Sequence, residues 1–257
     1  MSLGENAPDR SLYRLAGKDV LPFLQGLVSN DVLPLAKGPG LIWAALLSPQ
    51  GKYQADFFVL RRAGEEDILL DLPAALAPAT IRRLMMYKLR SDVQIAESPL
   101  NICRGLGETP EGGFADPRHP ALGWRLYSEE RGAAPSIDWE ALRIEHLVPE
   151  YPNELIVEES YILEQGFERL NGVNFRKGCY VGQEVTARMK HKTELRKGLT
   201  RVKIEGTAEP LCAITLEDGR EAGRLGTVKG GRALAYLRFD RAEAGLCAGA
   251  ARVTKDD

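Results

Sequence analysis

The chain has 257 residues, 44% of them hydrophobic and 27% charged, with a formal net charge of −2. These values sit inside the globular range and exclude a disordered or fibrous chain and a protein that binds polyanions over its whole surface; the length is ample for two or three small cores. Met1 to Asp9 lacks an apolar core, and the longest aliphatic run, Leu41 to Leu47, is too short to span a bilayer. A soluble cytoplasmic protein with no membrane partner is expected.

Along the chain, Leu12 to Leu15 alternates like a strand. Asp19 then stands as an N-cap before Val20, Phe23, Leu24, Leu27 and Val28, whose spacing predicts an amphipathic helix ending near Ser29-Asn30-Asp31. Leu41 to Leu47 and Asp56 to Leu60 flank the turn Ser48-Pro49-Gln50-Gly51 and read as a hairpin. Ile68 to Leu70 reads as a further strand. A helix is expected after Pro78, with Ile81, Leu84, Met85, Lys88 and Leu89 on one face and with both methionines, Met85 and Met86, and Tyr87 in the core. Ser91 to Pro135 is rich in Gly and Pro and reads as a small looped subdomain with short strands such as Trp124 to Tyr127. A helix capped by Ser136 or Asp138 should stop at Pro149, followed by an acidic irregular stretch, Glu150 to Glu159, and a short helix over Tyr161 to Leu170.

That last segment leads into Phe175-Arg176-Lys177-Gly178-Cys179-Tyr180-Val181-Gly182-Gln183-Glu184, which puts a cysteine among cations and between two glycines. A helix is expected to begin near Gln183 and Glu184, and a thiol close to a helix start and to Arg176 and Lys177 is expected to be reactive. Cys179 is thus the candidate reactive residue, with Lys177 as its electrostatic support. Gly178 and Gly182 would let the backbone turn or approach a ligand closely. Tyr180 either stacks on a flat ring or packs in the core, and Gln183 can donate or accept at a ring edge. Glu184 keeps two readings: a first-turn acid with Arg188 as its i,i+4 partner, or a carboxylate facing paired N–H donors of a ligand. The other cysteines, Cys103, Cys212 and Cys247, and the three histidines are scattered without ligand spacing, so no metal site and no disulfides are expected.

Lys177-Gly178-Cys179-Tyr180-x-Gly182-Gln183-Glu184-x-x-x-Arg188 resembles the signature of the YgfZ family, folate-binding relatives of the glycine-cleavage T-protein. Leu15-x-Gly17-x-Asp19-x-x-x-Phe23-Leu24-Gln25-Gly26, then Asn30-Asp31, Pro49-Gln50-Gly51 and Asp56, is similar to the opening of the same superfamily. The resemblance implies an α+β, multi-domain T-protein-like fold around a central channel. It also implies tetrahydrofolate or a one-carbon derivative as ligand, with Gly178, Tyr180, Gly182, Gln183, Glu184 and Arg188 near it. The role implied is support of iron–sulfur proteins, with client proteins or assembly factors as partners and a monomer as the expected state. A folate-dependent aminomethyl or methyl transferase is the alternative, but Asp71 does not sit in the pattern of the aminomethyltransferases, which argues against that transfer.

From Arg176 to Lys203 nine Lys or Arg (Arg176, Lys177, Arg188, Lys190, Lys192, Arg196, Lys197, Arg201, Lys203) face two acids, Glu184 and Glu194. Such a segment is either a solvated surface or a contact for a polyanion, which makes tRNA a second alternative, weakened by the absence of interleaved aromatics. From Gly198 onward Val202 and Ile204 alternate with charges, and Asp218-Gly219 and Gly230-Gly231 mark turns, predicting a small barrel or sandwich. The expected organisation is residues 1–197 as a folate-binding region of two intertwined subdomains, with the cysteine motif at 175–188, and residues 198–257 as a C-terminal β-barrel.

Overall fold

In the computed structural model, which describes residues 3–191, 194–242 and 245–256, the chain divides into two units. The first unit is Met1–Ile137 with Leu170–Gln183, and the second is Asp138–Arg169 with Glu184–Asp257.

The first unit runs β1 (Glu5–Asn6), β2 (Arg10–Ala16), α1 (Val20–Gln25), β3 (Gly40–Leu47), β4 (Tyr53–Arg61), β5 (Ile68–Pro73), α2 (Ala77–Tyr87), β6 (Gln94–Glu97), β7 (Asn101–Gly105), β8 (Phe114–Ala115) and β9 (Trp124–Ser128). These strands build two sheets in the orders β3-β4-β5-β2-β6 and β1-β7-β9-β8. The hairpin read from Leu41 to Leu60 is β3 and β4, antiparallel from Gly40 opposite Arg61 to Leu47 opposite Tyr53. Every residue of β4 except Arg61 is buried; Leu60, with Leu12 and Leu69, packs against Ala7 and against Ile102 and Tyr127 of the other sheet. Covered on both faces, β4 has little room for polar alternation.

Three local expectations change. The first helix spans only Val20–Gln25, since Gly26 closes it with N–H bonds to Leu24 and Pro22, and Asp19 occupies the N-cap position without capping. Its carboxylate instead accepts the Asp92 N–H at 2.8 Å. Met85, Met86, Tyr87 and Leu89 are exposed, because α2 buries Ala77, Thr80 and Leu84 instead. Tyr161 to Leu170 forms a chain of turns, broken at Gly166, whose φ is 77°.

The second unit holds α3 (Trp139–Glu145), α4 (Gln183–His191, whose first residue belongs to the first unit) and β10 (Lys197–Glu205), β11 (Ala213–Leu216), β12 (Glu221–Lys229), β13 (Arg232–Arg238), β14 (Leu246–Ala248) and β15 (Ala251–Lys255). Asp138 caps α3 by accepting the Ala141 N–H at 3.1 Å. The six strands close into a barrel, β10-β13-β12-β11-β14-β15, so no sheet edge is left open. Val202, Ile204, Ile214, Leu225, Leu237 and Val253 fill it together with six alanines, the small side chains that a narrow barrel admits. The α+β class and the C-terminal barrel are as expected.

Of the cation-rich stretch, Lys190 pairs with Glu168, Arg201 with Glu145 and Asp256, and Lys203 with Asp256. The sequence imbalance is therefore partly cancelled by acids distant along the chain; Lys192 lies outside the described residues.

Candidate functional site

Two places in the first unit gather polar chemistry. One is the cysteine loop, residues 171–183, which is fastened to the segment after α1. The Ser29 hydroxyl donates to the Gly172 carbonyl at 2.6 Å and accepts the Ala45 N–H at 2.8 Å. Asn30 Nδ2 donates to the carbonyls of Trp43 and Asn171 at 2.8 and 2.7 Å. Asn174 donates its N–H to the Ser29 carbonyl, and its side-chain oxygen accepts the N–H groups of Arg176 and Lys177 at 2.8 and 3.2 Å. That Asx turn directs the Lys177 side chain inward.

The Lys177 ammonium then donates to three carbonyls, Gln25 at 2.7 Å, Val28 at 2.5 Å and Asn30 at 2.9 Å. An ammonium has three protons, and three acceptors saturate it. Burial lowers its pKa to about 8, with Asp31 working in the opposite direction, so Lys177 remains charged at neutral pH. It also lies 5.0 Å from the Tyr180 ring centroid, and Tyr180 is buried. The lysine expected to support the thiol thus joins two loops, and the tyrosine is packed.

Cys179 is exposed, whereas Cys103 is buried and Cys212 and Cys247 are half-buried. It precedes the first residue of α4 by four positions rather than lying in its first turn. The intervening residues make a turn in which Gly182 takes φ 82°; a Cβ there would lie 2.6 Å from the Ser48 carbonyl oxygen and 3.0 Å from Leu47 Cβ. Gly182 is required by both conformation and contact. At Gly178 a Cβ would meet nothing within 4 Å, leaving the approach beside Cys179 open. Gln183 Oε1 accepts the Tyr180 N–H at 3.3 Å, holding the turn closed. Glu184 and Arg188 are exposed on α4 and do not pair with each other.

The second place, missed from the sequence, is a buried ionic cluster. Asp71 accepts from Arg10 Nε at 2.6 Å, Arg125 Nη1 at 3.0 Å and the Tyr127 hydroxyl at 2.8 Å. Asp116 holds Arg118 in a two-pronged contact at 3.0 and 2.8 Å, and Asp56 accepts from Trp43 Nε1 and the Tyr53 hydroxyl. Phe58 lies among three guanidinium groups, at 4.0 Å from Arg125, 4.9 Å from Arg118 and 5.4 Å from Arg10. Burial pushes the Asp71 carboxyl up, but Arg10 and Arg125 more than offset it and hold it below the ordinary carboxylate range. For Tyr127, burial and the Asp71 charge both act upward, so its hydroxyl stays protonated and donates. Three Arg here balance three Asp, and each carboxylate is already engaged. The available sequence signal was Arg125 and Tyr127 sharing one face of an otherwise apolar strand.

Among the described residues no group of three or more His, Cys, Asp or Glu could hold a metal, and no helix is long and apolar enough to cross a membrane.

Comparison with known proteins bears on the family and the fold. Residues 196–256 match the family model described as the CAF17 C-terminal β-barrel domain. The chain is 31% identical to the mitochondrial iron–sulfur cluster assembly factor IBA57 homolog of Mycosarcoma maydis over 79% of its length, spanning 58% of that protein. It is 31% identical to mouse IBA57, covering 90% of this chain and 76% of the mouse protein, and 29% identical to the human one, covering 89% and 75%. Glycine cleavage system aminomethyltransferase T from Bartonella henselae superposes with a TM-score of 0.71 at 12% identity, over 96% of this chain and 82% of that one, a likeness of fold. The T-protein-like fold expected from the two motifs is borne out, and the relatives by sequence carry the IBA57 name rather than that of the YgfZ family. The cytoplasmic placement is corrected: these relatives are mitochondrial proteins.

Proposed function

The chain belongs to the IBA57 family of iron–sulfur cluster assembly factors, and we propose that Cys179 lends its thiolate to a cluster being passed between proteins, the cluster being cargo and not a resident group. The observation that carries this is an exposed cysteine on a loop that is held before it by the Lys177 ammonium and after it by the contact of the Tyr180 N–H with Gln183. Thiolates are the usual ligands of iron–sulfur clusters, which need about four of them. Among the described residues nothing else gathers into a ligand set, so the remaining ligands come from another protein or from a small thiol. Lys177 positions the loop, Gly182 and Gln183 fix its exit, and the bare Gly178 leaves room for the incoming carrier.

A folate ligand finds less support. A pterin calls for a carboxylate facing paired N–H donors. The Gln183 side-chain oxygen is taken up by the Tyr180 main-chain N–H, the Tyr180 ring is buried, Lys177 is saturated, and the interior carboxylates Asp56, Asp71 and Asp116 are all committed to internal partners. These interior residues do not fit a pterin cradle, and Glu184, exposed on α4, is the one carboxylate of the motif left to face such a ligand. The same saturation makes Asp71 an unsuitable base for one-carbon transfer.

The test is an anaerobic titration of the purified protein with ferric iron and sulfide in a low-molecular-weight thiol, which reduces part of the ferric iron to the mixed-valence level of a cluster, followed by gel filtration. Sulfur-to-iron charge-transfer absorption should co-elute with the wild-type chain and be absent from Cys179→Ser. Equal absorption with both proteins would remove Cys179 from this role.

A further inference from the structure

The outer end of α2 runs against the logic of the rest of the first unit. Met85 is 47% exposed, Met86 70%, Tyr87 37% and Leu89 86%. Leu89 also holds φ 42°, a left-handed conformation that a leucine adopts only at a cost, and here the strained residue presents its apolar side chain to solvent. Cations surround these side chains. Arg82, Arg83, Lys88 and Arg90 fall in a run with no acid between Asp71 and Asp92. The Lys88 ammonium donates to the Val93 carbonyl at 2.8 Å. Arg82, Arg83 and Arg90 form no ion pair among the described residues, whereas Arg10, Arg104, Arg118 and Arg125 of the same unit all do. Asp19 and Asp92 adjoin one end of the run, but the Asp19 carboxylate already accepts the Asp92 N–H.

Methionine, tyrosine and arginine are the residues enriched at the centres of protein interfaces, and methionine adapts its shape to a partner. Arginines without counter-charges around an apolar centre complement a surface of opposite sign. We infer that the turn from Met85 to Arg90, with Arg82 and Arg83, is a docking surface for an acidic partner protein, whose apolar groove receives Met86 and Leu89 and whose carboxylates meet the arginines. A lipid surface fits less well, since a single helical turn offers little apolar area and neither Trp nor Phe; a nucleic acid fits less well because Tyr87 is the lone aromatic in the run. This inference does not depend on Cys179.

The experiment places a photo-cross-linking p-benzoylphenylalanine at Met86 of the full chain in cells, identifies the cross-linked species, and reconstitutes the purified pair. The expected species is an acidic protein. Its affinity should fall about tenfold or more with Leu89→Asp or with Arg82→Glu and Arg83→Glu together, and should weaken as salt is raised. Leu89→Gly suits φ 42° better than leucine, so it should keep or raise the Tm while weakening the pair, which separates docking from folding. Cross-linking to lipid, to nucleic acid, to a second copy of this chain or to nothing would overturn the inference, as would an acidic partner whose binding ignores these substitutions.

Discussion

Asp71 and Cys179 belong to the same unit and make opposite use of a polar side chain. Asp71 is fully buried and engaged by Arg10, Arg125 and Tyr127; Cys179 is exposed, on a loop held by the saturated ammonium of Lys177 and by Ser29, Asn30 and Asn174. In the first case chemistry has been turned into architecture. In the second, architecture is arranged so that one reactive atom is left over. A charged cluster is therefore a poor guide to function until its partners are counted.

The largest effect expected from this contrast is at Asp71. Asp71→Asn leaves Arg10 and Arg125 buried without that counter-charge, and denaturant unfolding should show a loss of about 3–5 kcal/mol. The pH dependence has a definite sign. Because the folded carboxyl titrates below its unfolded value, its contribution is fully present above the unfolded pKa of about 4 and is lost as pH falls through the lower, folded value. Asp71→Asn should flatten the acid limb of the stability profile; an unchanged slope would mean that the cluster does not titrate as a unit.

Next is Gly182→Ala. Positive φ and a Cβ 2.6 Å from the Ser48 carbonyl oxygen should together cost about 2–4 kcal/mol. Gly178→Ala, with open space around it, should change stability by less than about 0.5 kcal/mol. Equal costs at the two glycines would erase the distinction between the fixed and the open side of the loop.

A smaller effect is expected at Lys177→Met, which keeps the aliphatic stem but leaves three carbonyls without their donor. The cost should be about 1–3 kcal/mol, with faster amide exchange confined to residues 25–30 and 171–180. Exchange that rises uniformly over the unit would point to a general packing defect.

What was legible in the sequence follows the range of the interactions. The β3–β4 hairpin is legible as two apolar runs around a turn, and the barrel strands as alternation between turn residues, signals that act over a few positions. The cysteine loop came from its motif, but the role of Lys177 did not, because its acceptors lie about 150 positions away along the chain. The Asp71 cluster joins residues 54 to 61 positions apart and leaves no periodic trace. Hydrophobicity alone puts Met85, Met86 and Tyr87 in the core, although of Leu84 to Tyr87 only Leu84 packs inward. For Tyr161 to Leu170, helical spacing was present, yet Gly166 at positive φ turned the segment into a series of turns.

The most direct test is Cys179→Ser in cells that depend on this chain, with the activity of a [4Fe–4S] enzyme, the amount of soluble protein and its Tm measured together. Since the thiol is exposed, the variant should stay soluble with Tm shifted by no more than about 2 °C, while the enzyme activity falls to the level of cells lacking the chain. Full activity with the serine variant, or activity that falls only in proportion to lost folded protein, would contradict the assignment of Cys179 as the residue that meets the cluster.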